Sequence, residues 1–232
     1  GWLNDVPSYI PPVQIGEVMR AGSVGRVIES KNQKFNQEDL VQGSIGCQEY
    51  ANTGEGAGFM PPQKLPEGIS PTSALSIYGI TGLTAYFGML DIGKPVENDT
   101  VLISGAAGAT GSVAGQIARI KGASNIIGIA GGPEKCKWVV EEAGFDSCID
   151  YKSEDVAARI TDLAPKGLNI YFDNVGGPIL EYALGNIAQK ARVVMCGGIS
   201  SGYTMERLAA GPSTIFNLII QRGKMEGFIV ID

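Results

Sequence analysis

Three closely spaced glycines, Gly105, Gly108 and Gly111, lie between an apolar run at Thr100–Ser104 and a helical pattern. Glycine allows a sharp turn and a close approach to a ligand, and the first turn of a helix presents unpaired N–H groups and a positive dipole end. A strand, a glycine turn and a helix in this order therefore favour binding of a pyrophosphate. The dinucleotide fingerprint G-x-G-x-x-G is incomplete because Ala106 replaces its first glycine, so a turn without a ligand is the alternative.

The end of the next predicted strand indicates which dinucleotide would bind. Sites that prefer NAD usually place Asp or Glu there, about 20 residues past the glycines, where it binds the ribose 2′-hydroxyl. In this chain the strand runs into Gly131 and Gly132 without a carboxylate, and Lys135 follows in the first turn of a predicted helix. A lysine in that position can reach a 2′-phosphate if Glu134 points away, although an ordinary exposed lysine is the alternative. The pattern predicts NADPH rather than NADH.

The absence of histidine limits the chemistry that the side chains can perform. Without histidine, the chain cannot form a Ser-His-Asp or Cys-His nucleophile, a histidine-ligated zinc site or a histidine proton shuttle. The cysteines lack C-x-x-C spacing, which predicts small core residues in a reducing compartment such as the cytoplasm. They are Cys47, Cys136, Cys148 and Cys196. Any catalysis must rest on a cofactor, or on Tyr, Lys, Ser, Thr and carboxylate side chains.

Length and charge restrict the fold and its partners. The chain has 232 residues, of which 44% are hydrophobic, so one large domain, or one domain with a partial second, can bury a sizeable core. A formal net charge of -6 argues against nucleic acid or an anionic membrane as the main partner. We find no apolar run of the ~18 residues that a membrane helix needs, and no signal-peptide pattern.

The glycine turn belongs to a regular alternation of strands and helices. Six apolar strand patterns alternate with helical patterns, which is typical of a parallel sheet covered by helices on both faces. The turn follows the first of these strands, where a doubly wound sheet reverses its strand order and binds ligands. The predicted strands are Thr100–Ser104, Asn125–Ala130, Ser147–Asp150, Leu168–Asp173, Arg192–Cys196 and Glu226–Ile231. The predicted helices are Thr110–Lys121, Pro133–Ala143, Glu154–Leu163, Pro178–Ala188 and Pro212–Arg222.

The first part of the chain has a different pattern. Prolines and short apolar runs predict part of a small β domain, with strands at Val24–Ser30, Leu40–Gly43 and Cys47–Ala51. A helical pattern follows over Ile69–Asp91, with Ser70 and Pro71 as its start signal and Gly93-Lys94-Pro95 as its stop signal. We therefore expect a partial β domain over residues 1–68, a connecting helical segment over 69–98 and a nucleotide-binding domain over 99–232.

Several longer runs together resemble one enzyme family. They are SGAAGATGSVAGQIARIKG, AGGPEKC, IDYKSED, YFDNVGG, MEGFIVID, TGLTAYFGMLDIG and SYIPP, and they span nearly the whole chain. These runs are similar to the zinc-independent medium-chain reductases that act on carbon-carbon double bonds: leukotriene B4 and prostaglandin reductases, plant alkenal double-bond reductases and bacterial curcumin reductases. The resemblance implies an α/β fold, with a doubly wound, parallel, six-stranded Rossmann sheet and a partial GroES-like β domain that covers the substrate.

The resemblance also implies roles for individual residues. In this family the residues in the positions of Lys135 and Tyr151 contact the 2′-phosphate region, and the tyrosine of SYIPP, here Tyr9, lines the substrate pocket. For Tyr151, packing alone is the alternative. In the turn after the fifth predicted strand, members usually carry a tyrosine two residues after a serine. Here Tyr203 lies three residues after Ser200. The residues expected to bind the cofactor are Ala106, Gly108, Ala109, Thr110, Gly111, Gly131, Lys135, Tyr151, Asn174, Cys196, Gly197, Ile199 and Ser200.

The chemistry that the resemblance implies is transfer of a hydride from NADPH to the β-carbon of an α,β-unsaturated aldehyde or ketone, followed by protonation of the α-carbon. Negative charge develops on the carbonyl oxygen, so the site needs a hydrogen-bond donor there. The hydroxyls of Tyr9 and Tyr203 and the ribose 2′-hydroxyl of the cofactor are candidates, and water or a tyrosine could supply the proton. Two alternatives stay open: an NADPH:quinone oxidoreductase, and an NADPH-binding protein without catalytic activity.

The family likeness also implies an assembly. The last predicted strand is apolar and would lie at the edge of the sheet, where an uncovered strand is a template for pairing. In this family that edge commonly pairs across a two-fold axis, so we expect a homodimer through residues 226–231, unless a further C-terminal segment covers the edge. Members of the family are longer at both ends, so we expect the chain to be either a piece of a longer enzyme or a shortened relative.

Overall fold

The computed structural model describes residues 3, 10–54, 60–201 and 211–230. The chain divides after Thr81 into two compact units, the first over residues 1–81 and the second over residues 82–232. Within the described ranges, no helix is long and apolar enough to cross a membrane. The three regions expected from the sequence, over 1–68, 69–98 and 99–232, stay a prediction.

The first unit contains a small antiparallel sheet of three strands. Strand β1 is Ser23–Arg26, β2 is Leu40–Gly43 and β3 is Gln63–Lys64, with β2 in the middle. The prediction of β2 is confirmed, whereas the strand predicted over Cys47–Ala51 is wrong. Gly46 turns the chain away from the sheet at a φ of 83°, and its N–H donates to a carbonyl at residue 21 instead of a neighbouring strand.

The helix predicted over Ile69–Asp91 consists of three pieces. Helix α1 is Pro71–Leu75, α2 is Ile80–Phe87, and a π-helical turn follows at Gly88–Gly93. The start signal is confirmed, because the Ser70 side chain accepts a hydrogen bond from the N–H of residue 73. The stop signal is confirmed as well, since the residue after Gly93 is a left-handed cap with a φ of 50°.

The second unit is built around a parallel sheet of six strands in the order β6-β5-β4-β7-β8-β9. This is the order of a doubly wound nucleotide-binding fold, with its switch point between β4 and β7. The strands are β4 Thr100–Ser104, β5 Asn125–Ala130, β6 Ser147–Asp150, β7 Leu168–Asp173, β8 Ile187–Met195 and β9 Lys224–Gly227. The helices are α3 Ala109–Ile120, α4 Pro133–Glu141, α5 Val156–Leu163, α6 Gly177–Gly185 and α7 Asn217–Ile220.

Two apolar clusters cover the two faces of this sheet. Ile103 and Phe172 belong to one cluster, and their chain neighbours Leu102 and Tyr171 belong to the other, with all four side chains fully buried. Successive side chains of a strand point to opposite faces, so burial on both faces requires the unbroken apolar runs seen in the sequence. The predicted fold class, a six-stranded parallel sheet with a smaller antiparallel sheet, is confirmed.

The edge strand differs from its prediction. A strand was expected over Glu226–Ile231, but β9 ends at Gly227. Phe228 leaves the strand and packs against the same apolar cluster as Phe172. A Cβ on Gly88 would approach the Phe228 ring to 2.6 Å, so this glycine provides the space for the ring.

Candidate nucleotide-binding site

The turn between β4 and α3 has the geometry that the glycines predict. Gly105 is left-handed, with a φ of 63°, and Gly108 precedes the first residue of α3. A Cβ on Gly111 would lie 2.4 Å from the Gly105 carbonyl oxygen, so only glycine lets the first turn of α3 pack this closely. The N–H of Ser112 donates to the Gly108 carbonyl at 3.0 Å and is the first bond of the helix. The N–H groups of Ala109, Thr110 and Gly111 precede that bond and can bind an anion.

Ala106 fits where the fingerprint would have a glycine. It is fully buried, and its N–H donates to the Ile129 carbonyl of β5 at 3.0 Å. The neighbouring strand supplies the space, since a Cβ on Gly128 would lie 2.9 Å from the Ala106 Cβ. The substitution in the fingerprint is therefore compensated by a glycine in β5, and the turn keeps its shape.

The tip of β5 carries no carboxylate, as the sequence predicts. Gly131 lies under the ring of Tyr151, because a Cβ on this glycine would come within 2.8 Å of the tyrosine hydroxyl oxygen. Half of the Tyr151 surface is exposed. Lys135 is exposed in the first turn of α4 and forms no salt bridge within the described part of the chain. A phenol, an exposed ammonium group and the Gly131–Gly132 turn thus lie at the same end of the sheet.

A carboxylate that the sequence interpretation did not assign lies next to this turn. Asp150 ends β6, and one of its oxygens accepts the N–H of Gly132 at 2.7 Å and the N–H of Lys152 at 3.0 Å. Its other oxygen accepts the Ser153 hydroxyl at 2.9 Å. The N–H of Gly132, followed by that of Lys152, lowers the pKa of Asp150. Its position directly before Tyr151, as the last residue of a predicted strand, was the available signal.

A second buried carboxylate ends β7 at the switch point. Asp173 is fully buried, and one oxygen accepts the Tyr171 hydroxyl at 2.7 Å and the Ser104 hydroxyl at 3.0 Å. The same oxygen accepts the N–H groups of Val175 at 2.9 Å and Gly176 at 2.8 Å. The other oxygen is buried and has no hydrogen-bond partner within the described residues. Desolvation, followed by the charge of Asp173, raises the pKa of Tyr171.

Asn174 connects the two strands that flank the switch point. Its N–H donates to the Ser104 hydroxyl oxygen at 2.9 Å, and its side-chain amide donates to the Ser104 carbonyl at 2.7 Å. A Cβ on Gly105 would lie 3.5 Å from the Asn174 Cβ, so the side chain lies beside the glycine turn. The structure therefore brings Asn174 and the turn together.

The turn after β8 is bonded to the end of β7. The N–H groups of Cys196 and Gly197 both donate to the Asp173 carbonyl at 2.9 Å. Burial and the charge of Asp173 raise the pKa of the Cys196 thiol to about 12. Ser200 donates to the Val175 carbonyl from its N–H at 3.0 Å and from its hydroxyl at 2.6 Å, whereas Ile199 is exposed.

The predicted cofactor residues thus lie at the carboxyl ends of strands β4 to β8, where a doubly wound sheet binds its ligand. Tyr9 and Tyr203, the predicted catalytic residues, lie outside the described residues. Across the ranges that the structure describes, no group of three or more His, Cys, Asp or Glu side chains could hold a metal ion.

Comparison with known proteins agrees with this arrangement. Residues 109–232 match the family model described as zinc-binding dehydrogenase, and residues 1–61 match the N-terminal domain of oxidoreductase. The NADPH-dependent curcumin reductase of Escherichia coli is 38% identical, over 99% of this chain and 66% of its own length. The NADP(+)-dependent 2-alkenal reductase of Nicotiana tabacum is 36% identical, over 97% of this chain and 64% of its own length. The chain therefore spans about two thirds of these curated relatives.

A solved structure extends the comparison to three dimensions. CurA from Vibrio vulnificus in complex with NADPH has a TM-score of 0.89 and 40% identity, over 99% of this chain and 68% of that one. The family models, the relatives and the fold agree: the chain belongs to the medium-chain dehydrogenase/reductase family, in the group of curcumin, 2-alkenal and prostaglandin reductases.

Proposed function

We propose that the protein is an NADPH-dependent reductase of the carbon-carbon double bond of α,β-unsaturated aldehydes and ketones. The observation that carries this proposal is the strand-end site, which combines a glycine turn with a β5 tip that has no carboxylate. Similarity over nearly the whole chain to a curcumin reductase and a 2-alkenal reductase supports the substrate class. The NADPH complex of a structural neighbour with 40% identity supports the cofactor.

The residues at the strand ends fit such a cofactor. The close packing of Gly111 on Gly105 leaves the first N–H groups of α3 available for a pyrophosphate. Lys135 and Tyr151 would hold the 2′-phosphate, because an ammonium group and a phenol both donate hydrogen bonds to phosphate oxygens. Asn174 and the turn after β8 would hold the nicotinamide half. The remaining cofactor contacts would come from Ala106, Gly108, Ala109, Thr110, Gly131, Cys196, Gly197, Ile199 and Ser200.

When bound, NADPH supplies the hydride that the β-carbon of the substrate accepts, and it becomes NADP⁺. The protein must hold the substrate carbonyl so that the charge that develops on its oxygen is stabilised. We assign this donation to the hydroxyls of Tyr9 and Tyr203, with water or a tyrosine as the source of the proton for the α-carbon. The buried network around Asp173 and Asn174 keeps the strand ends in place.

The test is oxidation of NADPH by the purified 232-residue chain, followed by the nicotinamide absorbance. The chain is offered 2-nonenal, a curcumin-like dienone and a quinone in parallel, with a control that lacks any acceptor. We expect oxidation with the enal or dienone, and a product whose double bond is saturated while its carbonyl is kept. Turnover of the quinone alone would establish the quinone oxidoreductase alternative. NADPH binding without turnover of any acceptor would mean that this chain is not catalytic.

The tyrosine roles have their own test. Removal of one oxyanion donor typically lowers kcat by about 10²-fold or more. We therefore expect Tyr9→Phe or Tyr203→Phe to lower kcat toward an enal by roughly that factor, with NADPH affinity unchanged. Tyr182→Phe, in a 40% exposed tyrosine of α6, is the matched control and should have wild-type activity. An unchanged kcat in both active-site variants would remove the tyrosines from the mechanism.

The proposal includes a homodimer in the cytoplasm. Among the described residues β9 is the outer strand of the six-stranded sheet, and the proposal is that its outer side pairs with a second copy. Two copies related by a two-fold axis would extend the sheet through both subunits. Sedimentation equilibrium should give twice the mass of one chain, and the mass of a single chain would contradict the dimer.

A further inference from the structure

Asp150 differs from the acidic residue that NAD-preferring sites place at the tip of the second strand. It ends β6, the strand next to β5 in the sheet, and is paired in register with Ala130. Its side chain reaches across to the N–H of Gly132 at 2.7 Å. The charge is therefore directed at the backbone of the turn, and the carboxylate is mostly buried, with 8% of its surface exposed.

The hydrogen bond holds a glycine with a left-handed backbone. Gly132 has a φ of 96°, and a Cβ there would meet nothing within 4 Å, so the space on that side of the residue is open. This residue also caps α4, and its carbonyl accepts the N–H of Cys136 at 3.1 Å. The carboxylate of Asp150 thereby fixes the start of α4, from which Lys135 extends.

The same carboxylate fixes the opposite side of the turn. The Asp150 carboxylate accepts the N–H of Lys152 at 3.0 Å. Tyr151 lies between Asp150 and Lys152 in the chain, and its ring lies over Gly131. The Asp150 carboxylate thus bonds to the backbone at the start of α4, which carries Lys135, and to the backbone next to Tyr151. Glu154 is a second carboxylate near this turn. It accepts the N–H of Asp150 at 2.8 Å, and its charge is paired with that of Arg159.

We propose that Asp150 is a positioning residue for nucleotide specificity: it holds the Gly131–Gly132 turn, α4 and Tyr151 in the arrangement that accepts a 2′-phosphate. This role deepens the proposed NADPH-dependent function and presupposes it. Because the contacts are hydrogen bonds accepted from backbone N–H groups, they need an acceptor oxygen at this place and not a negative charge.

The test measures binding of two small nucleotides, 2′,5′-ADP and 5′-AMP, to the full chain by calorimetry. We expect Asp150→Ala to lower the preference for 2′,5′-ADP by about tenfold, the equivalent of losing one to two hydrogen bonds. Asp150→Asn keeps an oxygen for Gly132 and should keep the preference to within about threefold of wild type. If Asp150→Ala does not fold, Asp150→Ser gives the same test, since its shorter side chain cannot reach both N–H groups.

Asp146 provides a matched control on the same pair of strands. Its carboxylate accepts the N–H of Ile126 at 2.7 Å and pairs with Arg119 at 2.6 Å. These contacts lie at the amino-terminal ends of β5 and β6, away from the candidate site. Asp146→Ala should lower the stability of the fold and leave the nucleotide preference unchanged. An equal loss of preference in Asp146→Ala would attribute the effect to general destabilisation and overturn the proposal.

The remaining outcomes separate this inference from the proposed function. A wild-type preference for 2′,5′-ADP that survives in Asp150→Ala refutes the role of Asp150 and leaves the NADPH-dependent function standing. A wild-type chain without that preference refutes the NADPH-dependent function and the inference together. A loss in Asp150→Asn as large as in Asp150→Ala would contradict the geometric role, because the asparagine retains the acceptor.

Discussion

Asp150 and Asp173 both end a parallel strand, and both accept backbone N–H groups at the carboxyl edge of the same sheet. They differ in what else they hold. Asp173 is fully buried and accepts two further hydroxyl groups from the core, those of Tyr171 and Ser104. Asp150 is 8% exposed and accepts the N–H groups of Gly132 and Lys152 and one hydroxyl, that of Ser153, all from the turns at the ends of β5 and β6. One carboxylate is therefore expected to support the fold, and the other to shape the ligand site.

The sheet order explains this division. Strands β5 and β4 lie between β6 and β7, so each aspartate reaches inward to the end of the strand next to its own. Asp150 accepts the N–H of Gly132 in the turn after β5, and Asp173 accepts the hydroxyl of Ser104 at the end of β4, from which the glycine turn starts. The two turns are the expected places for the 2′-phosphate and the pyrophosphate.

Asp173→Ala should have the largest effect on stability. It leaves two buried hydroxyl groups and two N–H groups without their acceptor, and each unsatisfied buried group destabilises by roughly 1–3 kcal/mol. We expect the free energy of unfolding to fall by about 3 kcal/mol or more, measured by urea denaturation. Asp150→Ala should lose clearly less, and an equal loss in the two variants would remove the distinction between them.

Gly111→Ala tests the pyrophosphate side of the comparison. The added Cβ would lie 2.4 Å from the Gly105 carbonyl oxygen, so α3 must shift away from the turn. We expect NADPH affinity to fall by about tenfold or more, with a moderate loss of stability of ~1–3 kcal/mol. The measurement is titration of NADPH by nicotinamide fluorescence.

Gly115→Ala is the control for that variant on the same helix. Its Cβ would come within 2.1 Å of the Phe145 ring, so it overpacks the core one turn further from the site. It should destabilise the fold by a similar amount while the folded protein keeps its NADPH affinity. If both variants lost affinity equally, the effect could not be assigned to the turn.

Lys135→Ala tests the 2′-phosphate side. Loss of a charge-assisted contact to phosphate should lower the preference for NADPH over NADH by roughly tenfold. Lys137→Ala is the matched control, because this lysine lies on the same helix and pairs with Glu141 at 3.7 Å. A preference that persists in Lys135→Ala would show that the lysine is an ordinary exposed side chain.

The pH dependence of stability sharpens the account of Asp150. Its pKa is lowered in the folded state, so its contribution is fully present above the unfolded pKa of about 3.9 and is lost as the pH falls through the folded value. We expect the difference in melting temperature between wild type and Asp150→Asn to shrink as the pH is lowered from 7 to about 3. A difference that stays constant over this range would mean that folding does not lower the pKa of Asp150.

The smallest expected effect concerns the thiols. Cys196 has a pKa raised to about 12 by burial and by Asp173, so little thiolate forms at neutral pH. Cys47 is exposed, and we expect iodoacetamide to modify it well before Cys196. Peptide mass mapping after short exposure measures the order, and earlier modification of Cys196 would contradict the raised pKa and partial burial of this thiol.

Much of the fold was predictable because the sheet is buried on both faces. Four strands, from β4 to β7, were predicted with the bounds that the structure has, since their apolar runs end in glycine or polar residues. The π-helical turn at Gly88–Gly93 and the early end of β9 were not predictable. At this place the ring of Phe228 packs beside Gly88, and a contact between residues so far apart in the sequence is absent from the local pattern.

The candidate site was predictable only in part, for a related reason. Gly111 and Lys135 were predicted as cofactor-binding residues from local spacing, because a strand, a turn and a helix form one continuous segment. Asp150 and Asp173 act on partners that lie 18 and 69 residues away, Gly132 and Ser104. Such contacts require the order and register of the strands, which the local pattern does not contain.

The most direct test of the account is titration of the chain with NADPH and with NADH under identical conditions. A site that combines the glycine turn, Lys135, Tyr151 and a β5 tip without a carboxylate should bind NADPH more tightly by about tenfold or more. Equal affinities, or tighter binding of NADH, would contradict the claim that this edge of the sheet is built for a 2′-phosphate.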